Sequence, residues 1–190
     1  MTTTTHTEPA AWIGCLSCYN AGTLRGKWIT ARQAADEADT GELITYAGQA
    51  EPATYPSGTA YARCVVCGGD EFDVFDTQHL PAGCRTLREF YENAEQLADL
   101  DDAGTLEQIT ALAAWLGSST SLADLIDYND EHYAGQYTRF QDYADEYADE
   151  HLLGRMAPDL AAYFDYEKFA RDLAHDYYYD DATGHVWYSA

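Results

Sequence analysis

The chain has 190 residues, 46% of them hydrophobic, and a formal net charge of −23 at pH 7. Those proportions exclude wholesale disorder and allow one sizeable domain or two to three small ones. The charge excludes direct binding to nucleic acid or to an anionic membrane surface, and it favours basic partners.

The acidity is uneven. Residues 1–70 carry 7 acids and 4 bases, whereas residues 71–190 carry 26 acids and 6 bases. Between Glu89 and Glu150 there are 16 acids and one base, Arg139. A merely solvated surface is the plain alternative for such a run. Adaptation to high salt is another, since there are only two lysines, Lys27 and Lys168. That adaptation should acidify the whole surface, and the first 70 residues are nearly neutral.

Met1–His6 is polar, without a basic n-region or an apolar h-region, so no signal peptide is expected and the location predicted is cytoplasmic. No apolar run approaches the roughly 18 to 20 residues of a membrane span. Residues 1–10 read as a disordered Thr-rich leader. From Ala11 to about Gln78 the pattern is β-rich, with strands predicted at Trp12–Leu16, Lys27–Thr30, Leu43–Tyr46, Ala60–Val66 and Phe72–Asp76. Turns fall at Asn20-Ala21-Gly22 and Pro56-Ser57-Gly58, and residues 31–40 suit a short helix.

The character changes at Leu80-Pro81. Leu87, Phe90, Tyr91, Ala94, Leu97 and Ala98 recur at helical spacing. Thr105-Leu106-Glu107-Gln108 reads as a capping box opening a helix that Gly117 closes. Ser121-Leu122-Ala123-Asp124 resembles another helix start, and Thr138-Arg139-Phe140-Gln141 repeats the capping signature. Phe140, Tyr143, Ala144 and Tyr147 form one apolar stripe. Pro158 suits a first helical turn, Asp165 a cap for Tyr166–His175, and His185–Tyr188 a last strand.

The acids of the helical half keep helical register. Glu92, Glu95, Asp99 and Asp102 share one face, and Asp142, Asp145, Glu146, Asp149 and Glu150 lie opposite the aromatic stripe. Like charges four residues apart cost a few tenths of a kcal/mol per pair. A sequence tuned only for stability would intersperse lysines. At 1.5 Å rise, one acid every three to four residues gives a carboxylate about every 5 Å, against about 3.4 Å per phosphate along one DNA strand.

Trp12-Ile13-Gly14, followed by Tyr19-Asn20-Ala21-Gly22-Thr23-Leu24-Arg25-Gly26-Lys27-Trp28-Ile29, resembles the opening of ArdA-type antirestriction proteins. Asp70-Glu71-Phe72-Asp73-Val74-Phe75-Asp76 with Leu80-Pro81 is similar to that family's acidic strand entering its helical middle. Tyr133-Ala134-Gly135-Gln136-Tyr137 and the segment from Tyr163 to Leu173 resemble its C-terminal part. The resemblance covers about residues 11–190. It implies an α+β chain of three small domains in an elongated arrangement. These are a β-rich domain over 11–80, a helical one over 81–128, and an α+β one over 129–190 that forms a homodimer.

The function implied is mimicry of B-form DNA. The protein would occupy the DNA-binding groove of type I restriction–modification enzymes and protect a mobile element or phage genome. The phosphate-mimicking acids would be Glu92, Glu95, Asp99, Asp101, Asp102, Glu107, Asp124, Asp127, Asp130, Glu131, Asp142, Asp145, Glu146, Asp149 and Glu150. The partner would be the methyltransferase core of such an enzyme, and no catalysis is implied.

The cysteines depart from that family pattern. Cys15-Leu16-Ser17-Cys18 and Cys64-Val65-Val66-Cys67 are two C-x-x-C pairs, a donor set suited to tetrahedral Zn²⁺. Gly68-Gly69 after the second pair suits a metal knuckle. Four thiolates close the coordination shell, so such a zinc would be structural. Reduced core cysteines are an alternative, as are disulfides, which the cytoplasm disfavours. Cys84 and the scattered histidines read as ordinary residues. No P-loop, G-x-S-x-G or H-E-x-x-H occurs, so no enzyme is expected. The alternative function is a zinc-stapled acidic adaptor for some other basic protein. A zinc hydrolase is a remoter third.

Overall fold

The computed structural model describes residues 8–40, 43–155 and 157–189. They form two compact units, 1–122 and 123–190. Each unit combines helices with antiparallel strands, so the chain is α+β. Of the leader expected over residues 1–10, residues 1–7 lie outside the described residues. Pro9 is buried and Ala10 already belongs to a strand, so the ordered chain reaches further back than Ala11.

The first unit is organised around β1 (Ala10–Cys15), the central strand between β2 (Gly26–Thr30) and β5 (Phe72–Gln78). Ala11 and Ile13 of β1, with Ile29 of β2, are fully buried on one face of this sheet. Trp12 pairs with Trp28 on one side and with Asp76 on the other. The next residue, Ile13, pairs with Val74, which leaves Phe75 as an extra residue in β5. Such a bulge re-aims side chains and increases local twist. A short helix, α1 (Leu16–Asn20), follows β1 directly.

The helix α2 (Ala31–Asp39) starts where β2 ends. Thr30 is extended (ψ 157), its hydroxyl accepts from the Gln33 N–H, and the Gln33 side chain accepts from the Thr30 N–H. That reciprocal capping box satisfies two orphan donors. Thr86 (ψ 157) and Glu89 make the same device for α3 (Leu87–Glu92). Fully buried Ala31 and Ala34 let α2 pack closely on α4 (Ala94–Asp102), which buries Ala94, Leu97 and Ala98. Phe90 and the α5 (Leu106–Leu116) residues Ile109 and Leu112 complete this core.

A separate hairpin joins β3 (Ala50–Thr54) to β4 (Ala60–Cys64), closed by a stack of Tyr55 on Tyr61 at 4.0 Å. The strand expected at Leu43–Tyr46 is not formed. Tyr46 and Ala47 turn into the left-handed region (φ 49 and 52). Glu37 holds them there by accepting from the Thr45 hydroxyl at 2.9 Å and from the Ala47 N–H.

In the second unit, α6 (Leu122–His132), whose first residue still belongs to the first unit, leads into β6 (Tyr133–Gln136). Then come α7 (Phe140–His151), α8 (Pro158–Ala161), α9 (Tyr166–Leu173), β7 (Tyr177–Tyr179) and β8 (His185–Tyr188). Both outer strands pair antiparallel with β8, giving the order β6-β8-β7. Trp187 is fully buried, and its indole N–H donates to Asn129 Oδ1 at 3.0 Å. Asp165 caps α9 by accepting from the Lys168 N–H, as its position in the sequence leads one to expect.

Two capping signatures do not act as caps. Thr105 sits at ψ −3, and its hydroxyl turns back to the Leu100 carbonyl. Gln141 donates instead to Asp145 and to the Tyr166 carbonyl, and Arg139 is the residue that precedes α7. Both helices form nonetheless, because burial of their apolar stripes outweighs a missing cap worth about 1 kcal/mol.

Candidate functional site

The first site is the cysteine cluster. Cys15 closes β1, Cys18 lies in α1, Cys64 closes β4, and Cys67 follows in the turn. Their sulfurs all lie within 4.8 Å of one another. Cys15 Sγ is 3.5 Å from Cys67 Sγ, and Cys18 Sγ is 3.9 Å from Cys64 Sγ. Zn–S bonds of about 2.3 Å in a tetrahedron put sulfurs roughly 3.8 Å apart. A disulfide requires about 2.05 Å. The cysteines are free thiols in a cluster, three buried and Cys67 exposed.

The backbone around the second pair has the form of a metal knuckle. The Gly68 N–H donates to the Cys64 carbonyl at 2.9 Å, and the Gly69 N–H donates to Cys67 Sγ at 3.4 Å. Gly68 has φ +75, and a Cβ on Gly69 would meet Ser17 at 2.4 Å, so both positions need glycine. The Gly69 N–H draws the Cys67 thiol down to about 7, while Cys18 is pushed up to about 12, first by its hydrogen bond with Cys67. Such crowded sulfurs share thiolate character unevenly, and a divalent cation would take the place of their protons.

The cluster joins two sheets. Cys15 and Cys18 belong to the β2-β1-β5 layer and its helix, whereas Cys64 and Cys67 belong to the hairpin. Phe72 packs against the buried sulfurs. Among the described residues this is the one group of three or more metal-binding side chains close enough to share an ion. Cys84 lies outside it, buried, with its thiol pushed up to about 11 by burial.

The second candidate is the set of acids. On α4, Glu95, Asp99 and Asp102 are exposed opposite buried Leu97 and Ala98; Glu92 on α3 and Glu107 on α5 are exposed too. On α6, Asp124, Asp127, Asp130 and Glu131 are exposed, while Leu122, Leu125 and Asn129 point inward. On α7, Glu146, Asp149 and Glu150 are exposed and Asp142 and Asp145 half-buried, opposite buried Tyr143, Ala144 and Ala148. Asp101 differs from the others. It is buried on the inner side of α4 and forms no part of the open acidic face.

Some of these charges are already answered. Arg88 pairs with Glu92 at 2.7 Å, Arg32 with Asp102 at 2.8 Å, and Arg139 with Asp142. The Arg139 hydrogen bond holds the Asp142 carboxyl below its ordinary value. Tyr166 donates to Asp149 at 2.6 Å. Among the described residues, Glu95, Asp99, Glu107, Asp127, Asp130 and Glu131 enter no ion pair. The second unit carries 16 acids against 4 bases in its 68 residues, roughly twice the charge density of the first.

Sequence reasoning missed a third feature. Trp12, Tyr19, Leu24, Trp28, Phe75 and Asp76 line an open concavity of about 640 Å³ in the first unit. Its signal in the sequence was the pair of tryptophans at even positions of two strands, which puts both on one face.

Helices that present exposed carboxylates on one face, together with a closed set of four thiols, define a class of acidic α+β protein; no helix among the described residues is long and apolar enough to cross a bilayer. Residues 11–186 match the ArdA family of antirestriction proteins, and the chain belongs to that family. Comparison with curated proteins gives no match.

Proposed function

We propose that the protein exerts antirestriction by imitating B-form DNA and occupying the DNA-binding groove of a type I restriction–modification enzyme. The observation that carries this reading is the sidedness of α4, α6 and α7. Each buries one stripe and presents exposed acids on the other, with few bases to neutralise them. A groove built of Lys and Arg to hold phosphates would accept such faces, with counterion release contributing as it does for DNA. No catalytic step is part of the reading. The reading includes protection of a mobile element or phage genome in the cytoplasm and, as the family resemblance implies, homodimerisation through residues 129–190 and a succession of segments over 11–80, 81–128 and 129–190.

The cofactor in this reading is a structural Zn²⁺ on Cys15, Cys18, Cys64 and Cys67. The fit of sulfur spacing and donor chemistry supports it, and the ion would supply folding energy rather than reactivity.

The test is charge reversal. Asp127→Lys, Asp130→Lys, Glu146→Lys and Glu150→Lys together should leave the far-UV circular dichroism unchanged and abolish inhibition of a type I enzyme. The wild-type complex should weaken steeply with added salt and be competed by duplex DNA. Undiminished inhibition by the reversed variant refutes the phosphate-mimic role.

A further inference from the structure

The concavity beside β1 has the chemistry of a cation receptor. Trp28, Trp12 and Asp76 stand in one cross-strand row of the β2-β1-β5 sheet. Phe75, re-aimed by the bulge, lies against Trp12 with ring centroids 5.5 Å apart. Tyr19 of α1 meets Phe75 edge-on at 5.3 Å. Leu24 completes the rim. Four aromatic rings and one carboxylate thus converge on a space of about 640 Å³.

The space is built rather than left over. A Cβ on Gly14 would lie 2.6 Å from the Trp12 ring, and one on Gly26 would lie 2.5 Å from it. The two glycines therefore let the indole lie down on the backbone and form a floor. Asp76 Oδ1 accepts from the Thr77 N–H at 2.8 Å, which fixes the carboxylate at the edge of that floor. Large apolar side chains nevertheless stay open to solvent: Tyr19 is 58% exposed, Leu24 66% and Trp28 40%. The neighbouring cation, Lys27, alternates to the other face of β2 and donates to the Ala47 carbonyl.

We propose that this cleft receives an arginine side chain of a basic protein partner. A guanidinium stacks on indole faces, attracted by their electron-rich rings, and it matches a carboxylate through two parallel N–H bonds. The cleft offers both partners at once. A nucleotide, through its phosphate, or an acidic peptide would meet Asp76 and the net charge of −23 unfavourably. The inference rests on the reading that the partner is basic. It adds an anchor in the nearly neutral first segment to the acidic helix faces.

The experiment is a titration of the full-length, isotope-labelled protein with three short capped peptides: Gly-Arg-Gly, Gly-citrulline-Gly and Gly-Lys-Gly. The indole N–H resonances of Trp12 and Trp28 are followed. Citrulline keeps the plane and removes the charge. The arginine peptide should move both resonances saturably and bind at least about tenfold more tightly than the citrulline peptide. The lysine peptide should fall between them. Asp76→Asn, nearly isosteric, should bring arginine and citrulline level. Trp28→Ala should weaken the arginine peptide about tenfold, and Trp28→Phe should restore part of the loss. Unmoved indole signals, equal affinity for citrulline, or preference for lysine each overturn the proposal. The titration needs no restriction enzyme. Its failure leaves the DNA-mimic reading standing, and failure of the charge-reversal test leaves an arginine-binding cleft intact.

Discussion

Glu37 shows how one side chain can hold a turn that its sequence does not advertise. Its carboxylate accepts from the Thr45 hydroxyl, the Ala47 N–H and the Tyr91 hydroxyl. Those bonds hold Tyr46 and Ala47 left-handed, which costs about 1–2 kcal/mol per non-glycine residue. Glu37→Ala should lower unfolding stability by about 2 kcal/mol in urea, and Glu37→Gln, which keeps an acceptor, by clearly less. Equal losses from the two substitutions contradict this account. Tyr91 carries a second consequence. Burial, and then the Glu37 charge, hold its phenol well above the ordinary value; Tyr143 is raised likewise, by burial first and then by Tyr177. Both are neutral in the folded state. Their contribution is complete below the unfolded tyrosine pKa of about 10 and is lost as pH rises beyond it. Stability should therefore fall in the alkaline limb, and Tyr143→Phe should shallow that fall.

Among the elements, the β3–β4 hairpin depends most on something outside itself. A two-stranded hairpin is marginal alone, and here β4 ends in Cys64 of the thiol cluster. Removal of bound metal by a chelator should strip hydrogen-exchange protection from Ala50–Cys64 while β6, β7 and β8 keep theirs. Uniform loss, or none, counts against a zinc staple. The elements also show what a sequence makes legible. Amphipathic α4, α5 and α7 were readable because their apolar residues recur every three to four positions, and the two C-x-x-C pairs because thiol spacing is a local signal. The strand β3 was missed because Pro52 and exposed neighbours break alternation. The strands β6 and β7 are only four and three residues long, and Leu43–Tyr46 was misread because a distant carboxylate decides its backbone. The pattern T-x-x-E/Q marks a cap at Thr30 and Thr86, where the threonine is extended, and not at Thr105, where it is helical. The aromatic cleft required the β2-β1-β5 pairing and the Phe75 bulge, both products of long-range contact.

For the molecule as a whole, a net charge of −23 makes the folded state repel itself. Added monovalent salt screens that repulsion, with a Debye length of about 10 Å at 0.1 M. The melting temperature should rise with salt over the same range in which the inhibitory complex weakens. A melting temperature that rises while inhibition falls excludes unfolding as the cause of lost inhibition, and a melting temperature that falls with salt contradicts this account. The scarcity of bases has one more consequence, for chemistry at primary amines. Each unit holds a single lysine, exposed in both cases: Lys27 on β2 and Lys168 in the capped first turn of α9. Apart from the α-amine of the chain, an amine-directed cross-linker therefore has one target per unit. A link from Lys168 to Lys168 can arise only between two copies of the protein. Two lysines thus give the second unit a direct chemical record of self-association, legible in a single mass spectrum.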